Sequence, residues 1–360
     1  MLVQNYYPDE VPPPMLDHYL SKGWFRGSSM LYRSSVLYLD QELHEVINIR
    51  LPLKNYEPKK RLRRIKRKVH ETFRVVVRPF ENSPEKELLY DNHKHRFRGY
   101  LQDTLLTFLK GENEEWHHLS IFDTYEVCIY DNERLIGFSL FDVGEVAIAS
   151  ILGVFDEYYH QYSIGLFTML QEIEYAQSLG YEYYYPGYIL SNTRVFDYKL
   201  RVGTMEFYNH HQQWQTIEEL HTLEKVRDLI ASKIEAVEQF AKKFEIPYKR
   251  FLYPMFSLAY FDPEKINFVR SPIVLLLFEE EITDNSIVLE YWVENDKYMI
   301  TQVEVFVHFN FVEEFDIEQE TTTSTIDYSD LLSHTRVLAN DREPEALFNK
   351  LIRSLQNLDS

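Results

Sequence analysis

The sequence predicts an α+β (α/β) fold with a mixed central sheet, extended at the C-terminus by helical and antiparallel-β structure. Three patterns carry that expectation. Val127-Cys128-Ile129 and Ile136-Gly137-Phe138 lie in two β-like runs around the turn Asp131-Asn132 and read as an antiparallel hairpin. An apolar run over residues 146–155, an amphipathic pattern over 163–179 and a tyrosine-rich run over 181–185 then give strand, helix, strand. Beyond Phe207 a charged helical pattern over 216–244 is followed by three β-like runs within 266–315.

The elements follow in order. Residues 1–30 form a proline- and aromatic-containing lead-in, and apolar pieces at 46–49 and 73–77 surround a basic block. Ser83-Pro84-Glu85 starts a helix expected to run to about residue 109, with Gly111 as its stop. Ser163 has the chemistry of an N-cap and Gly180 that of a C-cap, so Leu166, Met169, Leu170, Ile173 and Ala176 form a core stripe between them. TTTST at 321–325 reads as a linker and 344–356 as a terminal helix. The expected divisions are an N-terminal region 1–110, a catalytic core 111–207 and an acidic extension 208–360.

With 360 residues, 45% hydrophobic, the chain can bury two or three cores. The single cysteine, Cys128, excludes an intramolecular disulfide and a multi-cysteine metal site. No basic-then-apolar leader opens the chain and no apolar run reaches membrane-spanning length, so the expected location is the cytoplasm. The net charge of −19 is unevenly spread: residues 1–100 hold 19 basic against 12 acidic side chains, and the last 90 hold 5 against 19. An acidic protein can hold a polyanion through a local basic surface, because charges beyond roughly 8–10 Å are screened at cellular salt. Lys59, Lys60, Arg61, Arg63, Arg64, Lys66, Arg67 and Lys68 supply such a surface, eight cations in ten residues. A solvated helix face that pairs with the acidic remainder is the plainer reading of that block.

Four groups of residues could carry chemistry. Arg33 and Arg50 have the guanidinium that grips a carboxylate in two-pronged fashion, or else cap carbonyls. The loop His160–Gly165 precedes a helix N-terminus, whose free N–H groups favour anions, and offers Ser163 and Gly165. Gly187-Tyr188, Arg194, Tyr198-Lys199 and Glu206 place hydroxyls and cations at the end of a strand, where they can grip a carboxylate or polarise an ester carbonyl. Asp156, ending the preceding strand, is a possible proton acceptor. Cys128 lies mid-strand, where an inert thiol is expected. Among the histidines, His93 and His95 share the expected 85–109 helix. The pairs His117-His118 and His210-His211 are sequence neighbours that cannot share one face, so no metal is expected.

The stretch from Phe155 to Glu206, with Ser163-x-Gly165, Gly187-Tyr188, Arg194, Tyr198-Lys199 and Glu206 in register, resembles the N-end-rule aminoacyl-tRNA–protein transferases, the arginyl- and leucyl-transferases with an acetyltransferase-like (GNAT) core. Tyr32-Arg33 and Ile49-Arg50-Leu51-Pro52 extend the resemblance to residues 20–207. It implies transfer of an amino acid, arginine in the first instance, from a charged tRNA to the N-terminal amine of a protein beginning with Asp or Glu. The aminoacyl-tRNA is then co-substrate, and no cofactor is needed. It further implies Tyr188, Tyr198, Lys199 and Asp156 at the chemistry. Arg33, Arg50, Ser163, Gly165, Gly187, Arg194 and Glu206 would bind substrate, and the basic block would bind tRNA. Many members carry cysteines between the Tyr-Arg and the following arginine strand. Here Ser34 and Ser35 stand in that region, which removes the case for the metal or iron–sulfur centre described for parts of the family. An acyl-CoA enzyme is the first alternative, opposed by the absence of a second glycine in register at 163–165. A non-catalytic adaptor binding tRNA or N-terminal degradation signals is the second.

Overall fold

The first half of the computed structural model comprises β1 (Val3–Tyr6), α1 (Pro13–Ser21), β2 (Phe25–Arg26), β3 (Leu31–Ser34), β4 (Val36–Leu39), β5 (Glu42–Pro52), α2 (Lys60–Thr72), β6 (Arg74–Pro79), α3 (Pro84–Lys94), α4 (Leu105–Lys110), β7 (Thr124–Asp131), β8 (Arg134–Val143), β9 (Ala147–Phe155) and α5 (Ile164–Ser178). There follow β10 (Tyr183–Leu190), β11 (Glu206–Tyr208), β12 (Trp214–Thr216), α6 (Val226–Lys243), β13 (Tyr248–Leu252), α7 (Leu258–Phe261), β14 (Ile273–Leu277), β15 (Ile287–Trp292), β16 (Lys297–Phe306), β17 (Ile326–Asp327), β18 (Leu331–Asp341) and α8 (Pro344–Gln356). The structure describes residues 2–97, 102–111, 120–209, 211–261, 267–306, 326–328 and 330–356. The expected linker at 321–325 and the histidines His117, His118 and His210 lie outside them.

Contacts divide the chain into two units. One holds Asn5–Arg33 and Val46–Leu223, the other Met1–Gln4, Ser34–Glu45 and Glu224–Ser360. The division expected at 110/111 is not a boundary, because one mixed sheet runs in the order β12-β11-β5-β10-β9-β8-β7-β6 and spans both sides of it. The division expected at 207/208 falls instead at 223/224.

In the sheet-bearing unit the hairpin forms as expected, with Cys128 opposite Phe138. Cys128 is fully buried, and burial pushes its thiol up to about 12, so it stays protonated and inert. β9, α5 and β10 make the strand–helix–strand unit, and β9 and β10 are parallel. Met169, Leu170, Ile173 and Ala176 are buried as the stripe required, with Leu166 partly so. The helix expected over 85–109 is broken. α3 ends at Lys94, and α4 starts afresh because Thr104 and Thr107 form a reciprocal capping box. Glu87 of α3 caps the same end by accepting from the N–H groups of Leu105 and Leu106.

The other unit holds the order β17-β13-β14-β15-β16-β18, in which only β13 and β17 pair in parallel among the described pairings. Ile230, Ile234, Val237 and Ala241 of α6 and Leu347, Phe348 and Leu351 of α8 share its core. The helix expected from 216 begins at Val226. Residues Ile217–Thr222 are a 3-10 turn, and Glu45 fixes the true start by accepting from the N–H groups of Val226 and Arg227.

Candidate active site: a forked strand pair around Lys199

β9 and β10 pair only at Tyr183↔Ala147, Tyr184↔Ile148 and Tyr185↔Ala149. Beyond that, β9 follows β8 as far as Phe155↔Gly137, while β10 follows β5 as far as Leu190↔Val46. The two parallel strands therefore part into a fork, and α5 begins shortly after the β9 arm. The cause is local to β10. Between Tyr184 and Gly187 its register against β5 slips by one residue. Pro186, which has no N–H to pair, sits in that bulge, and Gly187 adopts φ +93°, a conformation L side chains rarely take.

Gly187 also makes room. A Cβ there would stand 3.2 Å from Lys199 Nζ. Lys199 comes from the 3-10 turn Asp197–Arg201, donates to the Tyr188 carbonyl at 3.1 Å, and lies 5.1 Å and 4.9 Å from the ring centres of Tyr188 and Phe196. No carboxylate partners it among the described residues. Burial draws its ammonium down to about 8, although part of the side chain still reaches solvent. Tyr188 packs edge-on against Phe25 and Phe196, and its hydroxyl, like that of Tyr32, is pushed up by burial. Tyr198 is 42% exposed, yet its hydroxyl end lies inside the fold, where burial raises it to about 12 with Glu172 and Tyr188 adding to the shift. These hydroxyls remain hydrogen-bond donors at neutral pH. The arrangement is a half-buried ammonium in an aromatic cup.

The other expected residues are placed differently. Arg50 is not a free docking group: its Nε donates to Glu206 at 2.8 Å, and its guanidinium is stacked on Tyr183 and Trp214 at 3.9 Å and 4.3 Å. β11 and β5 set Glu206 directly opposite Arg50, so the two charges cancel. Arg33 donates to the Lys22 carbonyl and lies 5.8 Å from the Trp24 ring. Arg194 is exposed, with no side-chain partner among the described residues. Asp156 is committed elsewhere. It caps the 3-10 helix Glu157–Tyr162, pairs with Arg134 at 2.5 Å, and lines a shallow depression with Leu88, His95 and Glu157 rather than standing by Lys199. Ser163 is not the N-cap its chemistry suggested. It sits in the left-handed region at φ 56°, and its side chain makes no capping hydrogen bond. Gly165 lies against Phe155, 3.4 Å from its ring at the Cβ position.

The basic block becomes α2, which buries Leu62 and Val69 and turns its cations outward. It packs on α5 and on the 3-10 helix before it: Lys66 pairs with Glu174 at 2.5 Å, and Lys68 reaches the Gln161 carbonyl and the Tyr162 ring. Lys59, Lys60, Arg61, Arg63 and Arg64 are exposed and have no partner among the described residues. Lys59, Lys60 and Arg61 crowd the first turn of α2, where a cation opposes the helix dipole by about 0.3–1 kcal/mol. A polyanion laid there would relieve that cost.

Sequence reasoning missed Glu172, Tyr184, Phe25 and Phe196. Tyr184 donates to Glu172 at 2.8 Å, and both are fully buried. The signal for Glu172 was present, since Met169, Glu172, Ile173 and Ala176 recur on one helical face. A carboxylate on an apolar stripe marks a buried charge. Among the described residues no cluster of His, Cys, Asp and Glu could hold a metal, and no helix is long and apolar enough to cross a membrane.

A forked parallel pair with a helix rising from one arm, in a mixed sheet, is the architecture of an acetyltransferase-like (GNAT-like) acyltransferase. The family model described as arginine-tRNA-protein transferase, C terminus, matches residues 75–209, so that segment is similar to the N-end-rule aminoacyl-tRNA–protein transferases. An aspartate/glutamate leucyltransferase of Leptospira interrogans is 23% identical over 197 residues, covering 54% of this chain and 74% of that protein. One of Campylobacter jejuni strain RM1221 is 25% identical over 223 residues, covering 59% and 90%. Among solved structures, L-PGS from Bacillus licheniformis aligns with TM-score 0.32 and 16% identity over 42% of this chain and 47% of that one.

Proposed function

We propose that the protein transfers an amino acid from aminoacyl-tRNA to the N-terminal amine of an acceptor protein beginning with Asp or Glu. The observation that carries this reading is Lys199, an enclosed ammonium with no carboxylate partner among the described residues, held at the fork inside the family-matched segment. The ammonium would pair with the acidic side chain of the acceptor, while the hydroxyls of Tyr188 and Tyr198 orient the ester. The exposed cations of α2 would take the tRNA backbone. The ester is already activated, so the transfer step needs neither ATP nor a metal. Holding amine and ester in contact can supply roughly 7–11 kcal/mol of the barrier, and one donor to the developing oxyanion about 3 kcal/mol more.

The curated relatives are named leucyltransferases, so leucyl-tRNA is the first donor to try and arginyl-tRNA the second. The test incubates the full chain with labelled leucyl-tRNA, arginyl-tRNA or acetyl-CoA and reporters beginning with Glu, Asp, Gln or Ala. Label from a charged tRNA entering only the Glu and Asp reporters supports the reading. Label from acetyl-CoA alone, or no label with tRNA bound tightly, overturns it in favour of the acyl-CoA or the adaptor alternative.

A further inference from the structure

Resting on that reading of the fork, we propose that Glu172 is a positioning residue of the same reaction. Its carboxylate, reached through the hydroxyls of Tyr184 and Ser150 at the apex of the fork, takes up the proton that the acceptor amine sheds. The geometry is specific. Glu172 is fully buried on α5, the helix that packs on both β9 and β10. Tyr184 belongs to one of the last rungs joining the two strands and donates to Oε2 at 2.8 Å. Ser150 is the first β9 residue beyond the last rung and is partly exposed, and it faces the same carboxyl. Ser139 of β8 faces it from the third side, yet Glu172 Oε1 and the Ser139 hydroxyl complete no hydrogen bond among the described residues. Tyr198, from the turn that carries Lys199, is near enough to feel its charge.

A structural carboxylate in such a place would have a cation. Here no lysine or arginine pairs with Glu172 among the described residues. Lys66 of α2 pairs instead with the next acid along the helix, Glu174. The groups facing Glu172 are the tyrosines 184 and 198 and the serines 139 and 150. Burial raises the carboxyl to about 7, with the hydroxyls of Ser139, Ser150 and Tyr184 drawing it back. That value suits a group that must take a proton and return it near neutral pH.

The step balances. The acceptor terminus arrives as an ammonium and loses one proton, to Glu172 through the bridging hydroxyl. Its nitrogen then bonds to the ester carbonyl carbon, and the ester C–O bond breaks. The second proton of the nitrogen goes to the departing ribose oxygen, and Glu172 releases the first to solvent between turnovers.

The test compares wild type with Glu172→Gln and Tyr184→Phe in the full chain. Single-turnover transfer from leucyl-tRNA to a Glu-led peptide is followed between about pH 5.5 and 9. Glu172→Gln keeps the size and the acceptor for Tyr184 but cannot hold the proton. Its rate is expected to fall roughly a hundredfold, and the acid limb of the profile to disappear. Difference infrared spectroscopy gives a readout independent of transfer: a protonated carboxyl band that titrates near neutrality in wild type and is absent from Glu172→Gln. If wild type transfers leucine and Glu172→Gln does so at the same rate with the same acid limb, or if no such band titrates, the inference is overturned. If wild type transfers nothing, the reading under Proposed function has failed and takes this one with it.

Discussion

Lys199 sets two requirements against each other. An ammonium drawn down to about 8 from its usual 10.5 is destabilised by its surroundings. Between those values the unfolded chain binds more protons at this site than the folded one, so its contribution to stability rises as pH goes from 8 to 10.5. Lys199→Met, which keeps the apolar stem and removes the charge, is therefore expected to raise the thermal midpoint at pH 7 by about 2–4 °C per kcal/mol recovered. Transfer should fall at least a hundredfold in the same variant. A calorimetric scan paired with the transfer assay checks both, and a variant that is inactive because it is less stable would contradict the assignment. Gly187→Ala probes the same contact from the other side. It must strain a backbone at φ +93° and push Nζ from 3.2 Å, so a tenfold or greater loss in kcat/KM is expected with tRNA binding unchanged. This cluster was largely legible in the sequence because Gly187, Tyr188, Tyr198 and Lys199 lie within one strand–loop–turn. The walls supplied by Phe25 and Tyr32 were not legible, since their partner Tyr188 lies more than 150 positions away. The pairing of Arg50 with Glu206 was not legible for the same reason: only strand register reveals that they face each other.

At the scale of elements, α2 separates binding from chemistry. Replacing Arg61, Arg63 and Arg64 together by alanine removes no buried contact, because all three are exposed. It should weaken tRNA binding, flatten the slope of log affinity against log salt by about 2–3, and leave the rate at saturating tRNA intact. Fluorescence titration at several salt concentrations tests this, and an unchanged slope would remove α2 from the tRNA site. Periodicity gave α5 and β9 correctly because both bury one continuous apolar face. It failed where a helix end is set from afar. The break between α3 and α4 depends on Glu87 capping across 18 residues, and the start of α6 depends on Glu45 from a segment 181 residues earlier. Such ends carry no local signal.

At the scale of the whole molecule, the second unit has an electrostatic weak point of its own. Glu290 is fully buried. Burial pushes its carboxyl up, but His334, whose Nε2 is 2.9 Å from Oε1, more than offsets this and holds it below its ordinary value. A carboxylate with a lowered pKa contributes stability that is complete above its unfolded value and lost as pH falls through the folded one. Acid should therefore loosen this unit below about pH 4.5. His334→Ala should destabilise the unit by removing the group that faces Glu290 Oε1, while the N–H groups of Arg270 and Ser271 still reach Oε2. Hydrogen exchange on β15, β16 and β18 reports this directly. The single measurement that bears most on the account is the pH profile of kcat/KM for a Glu-led acceptor with leucyl-tRNA, in wild type and in Lys199→Met. Wild type is expected to give a bell with limbs near 7 and 8, and the variant a profile about a hundredfold lower that keeps the acid limb near 7 and lacks the alkaline limb. A variant that keeps both the wild-type rate and the alkaline limb would show that the fork ammonium takes no part in transfer.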